Sequence, residues 1–111
     1  MNEKQLLTYC LGKPGARKDE PWEGDVVAKV GDKIFAFLGT DSVGLKCGAS
    51  RAEADELVFV YPDDVTASAY IGRYGWNRIA LDGKVPDEEI RELVDQSYEA
   101  IVRKLPKSRR P

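Results

Sequence analysis

Five apolar residues in a row, Ile34 to Leu38, follow a Gly31-Asp32 pair, and this stretch constrains the fold more than any other. Gly-Asp between two extended segments suits a tight hairpin, so Val26–Val30 and Lys33–Leu38 are predicted to pair antiparallel. Along the second strand Ile34, Ala36 and Leu38 fall on one face, and Phe35 and Phe37 fall on the other. A strand apolar on both faces belongs in the middle of a sheet with cover on both sides. In a chain of 111 residues, which has material for one core but not two, the second face is either a contact surface or the seat of a loop.

Helical signals frame this sheet. Asn2 followed by Gln5 forms a capping-box pattern, and Leu6, Leu7, Cys10 and Leu11 make a stripe that Gly12 and Pro14 end. Ser50-Arg51-Ala52-Glu53 opens a second helix that stops before Pro62. Pro86 with Asp87, Glu88 and Glu89 opens a third, whose stripe is Ile90, Leu93, Val94, Ser97, Ile101 and Leu105. Asp87–Arg91 and Glu99–Arg103 are spaced as surface ion pairs on it. A third strand is expected near Val43–Cys47, an extended piece at Val65–Tyr70, and a last strand at Trp76–Leu81. Lys13–Gly24 reads as a charged loop anchored by Trp22. The order is α-β-β-β-α-β-β-α: an α+β, two-layer domain with an antiparallel sheet and helices mainly on one face. Residues 1–105 form the single domain, and 106–111 a basic, flexible tail.

Composition narrows the function. Apolar residues make up 42% and charged residues 32%, as in ordinary globular proteins. The chain has no histidine, which removes the usual general base, the Ser-His and Cys-His nucleophile pairs and the commonest metal ligand. Asp63-Asp64 beside Pro62 reads as a helix-ending turn, and Asp87-Glu88-Glu89 as acids favoured in a first helical turn, before either reads as a catalytic carboxylate pair. No phosphate-cradling glycine loop is present. Cys10 and Cys47 lack metal-site spacing and read as buried free thiols. A binding protein without catalysis, metal or cofactor is expected. No apolar run is long enough for a membrane span, and the N-terminus does not resemble a secretion signal, so the expected compartment is the cytoplasm.

Val65–Leu81 contains no acid and brings together Tyr70, Arg73, Tyr74, Trp76, Asn77 and Arg78, with Gly72 and Gly75 permitting a close turn. Aromatics interleaved with arginine can stack on bases while pairing phosphates. Trp76 reads first as a core residue, whereas Arg73 divides evenly between surface and site. The tail adds Arg103, Lys104, Lys107, Arg109 and Arg110 with no acid after Glu99, either as a solvated run or as a phosphate-contacting arm. A net charge of −2 weighs against strong unspecific binding to nucleic acid.

Cys10-Leu11, Pro14-Gly15-Ala16, Pro21-Trp22, Lys29–Ala36, Leu45-Lys46-Cys47, Tyr70–Trp76, Leu81-Asp82-Gly83, Pro86–Glu89, Ser97-Tyr98 and Lys104–Lys107 run in an order that resembles the MmcQ/YjbR family of small bacterial proteins. The resemblance spans nearly the whole chain and implies a secretion-chaperone-like α+β fold. The family is often labelled DNA-binding, through β-loops in a double-wing arrangement, and it brings no catalytic residues. Ala28 stands where an aromatic is common in it. On these grounds the candidate nucleic-acid contacts are Lys33, Lys46, Arg73, Tyr74, Trp76 and Arg78, with DNA as the partner. The competing readings are a protein partner or a second copy of the chain, met by Phe35 and Phe37, and a small ligand held between the sheet and the Gly72–Trp76 turn.

Overall fold

A computed structural model describes all residues, 1–111. It contains helix α1 (Glu3–Leu11), strands β1 (Ala16–Trp22), β2 (Asp25–Val30), β3 (Lys33–Leu38) and β4 (Ser42–Lys46), and helix α2 (Arg51–Val60). Strands β5 (Val65–Ala67) and β6 (Trp76–Ala80) and helix α3 (Asp87–Val102) complete it. The six strands form one antiparallel sheet in the order β1-β2-β3-β4-β6-β5. Helix α3 packs against β2, β3 and β4, α1 against β1, β2 and β3, and α2 against β5 and β6. The α+β, two-layer architecture is therefore as expected, with one strand more.

The extra strand is β1, which replaces the expected loop at 13–24. It pairs only with β2, so it is an edge, and none of its residues is fully buried. Arg17, Lys18, Asp19, Glu20 and Pro21 give it no apolar alternation, and charges with proline are what keep an exposed edge from pairing with another chain. Trp22 is 58% exposed and anchors nothing. Asn2 caps α1 in a complete capping box. At α2 the Ser50 hydroxyl accepts from the Glu53 amide, but the Glu53 carboxylate reaches the Ala49 amide instead of Ser50. Neither expected ion pair on α3 forms. Asp87 instead accepts from the Met1 amine at 3.1 Å.

The phenylalanines also part company. Ala28 pairs with Ala36, but Lys29 pairs with Ile34, so Phe35 is an extra residue that bulges β3. Phe35 is fully buried edge-on to Tyr98 of α3, with ring centroids 5.2 Å apart, while Phe37 stays half-buried on the opposite face. The expected two-phenylalanine outer patch therefore does not exist. Beyond the bulge, β3 and β4 separate after the Ala36–Leu45 pair. Ser97 fills the gap: its hydroxyl donates to the Phe35 carbonyl at 2.7 Å and accepts from the Lys46 amide at 3.0 Å. One buried side chain thereby satisfies two backbone groups that the ladder has abandoned.

Candidate nucleic-acid interface

Successive turns of an antiparallel meander alternate between its two ends. The β2–β3 turn, the end of β4 and the β5–β6 connection share one end, which also receives the C-terminus of α3. Gly31 lies so close against Leu105 that a Cβ added there would stand 2.9 Å from its Cδ2. Arg17 donates to the Gly31 carbonyl at 2.9 Å, and Tyr98 donates to the Pro14 carbonyl. The segment 106–111, expected to be flexible, folds back through a short turn at Lys107–Arg109. Arg110 donates to the Leu105 and Arg103 carbonyls, and Pro111 rests on Gly15.

These contacts gather Arg17, Lys33, Lys46, Arg103, Lys104, Lys107, Arg109 and Arg110 at one end. None of them has a carboxylate within 4.0 Å, whereas Lys13, Lys18, Lys29, Arg51 and Arg78 each do. Those held in place, Arg17, Lys46 and Arg110, are held by backbone carbonyls. A carbonyl orients a cation without cancelling its charge. Asp32 and Glu99 are the free-lying acidic side chains in this region, and Glu53 accepts from the Ala49 amide.

The opposite end is acidic. Register places the β1–β2 turn with Glu23 and Asp25 there, together with Asp41, Asp63, Asp64, Asp82 and the first turn of α3. Several of these acids are engaged. Asp64 accepts from the Lys84 amide at 2.9 Å, and Asp41 lies 3.6 Å from Arg78. A net charge of −2 thus conceals two ends of opposite sign.

The six sequence-derived contacts fall into three groups. Lys33, Lys46, Arg73 and Tyr74 belong to the basic end. Lys46 Nζ donates to the Tyr74 carbonyl, and the Arg73 guanidinium lies 4.8 Å from the centre of the half-exposed Tyr74 ring. Trp76 is 8% exposed and edge-on to Phe37 across Gly44, so it packs the sheet's outer face and is closed to a base. Arg78 points out beside Asp41, away from the others. Arg17 was hidden from sequence reading by the loop assignment of β1.

The Gly72–Trp76 turn is architectural. Gly75 has φ 91°, and a Cβ there would collide with the Gly48 carbonyl, while the Cys47 amide donates to the Gly75 carbonyl at 2.7 Å. Arg51 pins the turn from α2 by donating to the carbonyls of Gly72, at 2.9 Å, and Trp76, at 3.1 Å, and to the buried Asn77 amide oxygen. The Asn77 amide in turn donates to Ala54 of α2. Its placement inside a capping-box pattern gave Arg51 no other sequence signal. Before the turn, Tyr70 holds φ 64° and is 95% exposed; its neighbours Ser68, Ala69 and Ile71 line a cleft of about 300 Å³ with Phe37, Gly44 and Arg78 of the sheet.

Burial sets the titrations. It pushes the Cys10 thiol up to about 12 and the Cys47 thiol up to about 11, so neither is a nucleophile near neutrality. Burial, and then the nearby Lys104 charge, hold Lys46 below the usual lysine value.

The YjbR family model matches residues 11–100, from the end of α1 through most of α3. The chain belongs to the YjbR family. It is 34% identical to the uncharacterized protein YjbR of Escherichia coli K12, covering 99% of this chain and 95% of that one, and the O157:H7 protein matches equally. Among solved structures, Deinococcus radiodurans DR2400, with its DUF419 domain, superposes with a TM-score of 0.85 at 24% identity, over 98% of this chain and 85% of that one. A Pseudomonas syringae protein superposes with a TM-score of 0.71 at 20% identity, over 90% and 98%. In this YjbR-family chain the matched residues include the Gly72–Trp76 turn and Ser97, and the cations from Arg103 onward follow them.

Proposed function

We propose that this YjbR-family protein is a non-catalytic nucleic-acid-binding module that meets phosphates with its basic end rather than with the outer sheet face. The observation that carries the reading is the set of cations fixed by backbone carbonyls and left without carboxylates, opposite an acidic end. The acidic end turns away from a polyanion and so orients its approach. Tyr74, half-exposed under Arg73, is the side chain available to stack on an unpaired base. The absence of histidine favours binding over chemistry, and a cytoplasmic setting belongs to the same reading. No helix is long and apolar enough to cross a membrane.

Titrating labelled duplex and single-stranded DNA across a salt series tests the reading. Each phosphate neutralised contributes about −0.9 to the slope of log affinity against log salt on duplex DNA. Replacing Lys104, Lys107 and Arg109 by Glu should reduce the steepness by roughly three contacts' worth. A flat salt response in the unaltered protein rejects the proposal.

A further inference from the structure

A second feature of the basic end differs in kind from its surface charge. A cleft of about 610 Å³ opens between the start of α2 and the C-terminal half of α3. Lys46 lines it and is only 6% exposed, yet its ammonium has no carboxylate within 4.0 Å and bonds to a single group, the Tyr74 carbonyl. An ammonium carries three donors, and burying it unneutralised costs free energy that an anion would restore. The neighbouring charges divide: Lys104, on the same cleft, disfavours protonation of Lys46, and Glu53, acting less strongly, favours it.

The acids of the cleft are otherwise occupied or set apart. Asp95 accepts from Tyr9 and pairs with Lys13, and the Glu53 carboxylate is turned to the Ala49 amide. Glu99 remains free on the α3 wall and would repel an anion lodged on that side. The opposite wall is formed by Gly48 and Ala49, which lead into the N-terminus of the ten-residue helix α2. The N-terminus of α2 therefore borders the same space as the Lys46 ammonium, whose charge Glu53 offsets only in part.

We infer that this cleft binds one phosphoryl group, held by the Lys46 ammonium with Lys104 and the N-terminus of α2. This goes beyond the proposed nucleic-acid contact, for which the exposed cations around Lys46 suffice, and the phosphoryl group can come from free phosphate or from a nucleic-acid end. Protonated Lys46 is the binding form, so an occupied cleft raises its titration toward the ordinary lysine range.

The test follows the Lys46 side chain by NMR in uniformly lysine-labelled protein while inorganic phosphate replaces chloride at constant ionic strength. An upward shift of the Lys46 titration, together with a phosphate-dependent rise in thermal midpoint, is the expected result. Lys46→Met should weaken phosphate binding roughly tenfold or more, the size of a lost charge-assisted hydrogen bond. An end-phosphorylated oligonucleotide that moves Lys46, beside an unphosphorylated one that does not, assigns the source to a nucleic-acid end. Movement with inorganic phosphate but with neither oligonucleotide assigns it to free phosphate. If phosphate leaves Lys46 unmoved in the unaltered protein, the cleft assignment is overturned, and a salt-steep DNA affinity would still stand by itself.

Discussion

The two ends of the sheet use charge in opposite ways. At the acidic end, charged groups hold the structure: Asp87 takes the Met1 amine, Asp64 takes a loop amide, Asp41 faces Arg78, and Asp87, Glu88 and Glu89 sit on the positive terminus of α3. At the basic end, groups without net charge do most of that work. Ser97 joins β3 to β4, Gly75 lies against Gly48, and Tyr98 reaches Pro14. Arg17, Lys46 and Arg110 donate to carbonyls and keep their charge, although Arg51 and Lys13 at the same end pair with Asp55 and Asp95. The contrast teaches that net charge conceals how a small protein distributes its charges, and that the acceptor beside each cation decides whether that charge is cancelled.

The sharpest way to break the contrast is to remove the neutral scaffolding of the basic end. Gly75→Ala forces a Cβ into the Gly48 carbonyl at a left-handed backbone position. It should cost at least about 3 kcal/mol in denaturant unfolding. Unaltered stability would show that the close approach is dispensable. Ser97→Ala strands the Phe35 carbonyl and the Lys46 amide, both buried. A loss of about 1–3 kcal/mol is expected, with faster amide exchange at Lys46.

Alkaline pH should also strike the basic end. Unfolded thiols ionise near 9.0, whereas Cys10 and Cys47 are raised to about 12 and about 11. The folded state therefore keeps protons that the unfolded state releases. Their contribution is complete below about pH 9 and is lost as pH rises toward those folded values. Depression of Lys46 acts with the opposite sign, favouring the folded state as pH rises toward the usual lysine value. Thermal midpoints measured from neutral pH upward should fall, and Cys10→Ala should flatten the fall. A Cys10→Ala midpoint that falls as steeply as that of the unaltered protein would contradict the burial of that thiol.

The smallest effect belongs to the acidic end. Asp41→Asn removes an exposed partner of Arg78, and unfolding should change by no more than about 0.5 kcal/mol. DNA affinity should stay level or rise slightly. A marked loss of affinity would place the interface at the wrong end.

Much of the fold is legible in the residues. The Asn2–Gln5 capping box, the Gly31-Asp32 hairpin and the long stripe of α3 lie where their patterns place them. What escaped does so for physical reasons. Strand β1 has no apolar rhythm because edges are defended by charge. The sidedness of Phe35 is reversed by a bulge that strict alternation cannot announce. The basic end is composed from residues far apart in the chain, and it exists only once antiparallel strands and α3 deliver them to one place. Of the expected contacts, Lys33, Lys46, Arg73 and Tyr74 come to lie at the basic end, while the burial of Trp76 and the pairing of Arg78 follow from register.

The Ser97 hydroxyl also fixes the rotational phase of α3. Each helical residue turns about 100°, so deleting one position between Ile90 and Ser97 would swing the hydroxyl out of the gap between β3 and β4. It would also carry Tyr98 off Phe35. A helix that met the sheet only through Leu, Val and Ile could settle into a neighbouring phase at modest cost. With a hydrogen-bonding wedge lodged between two strands, α3 behaves as a key cut to one depth, and length changes along it should be far less tolerated than substitutions of its apolar residues.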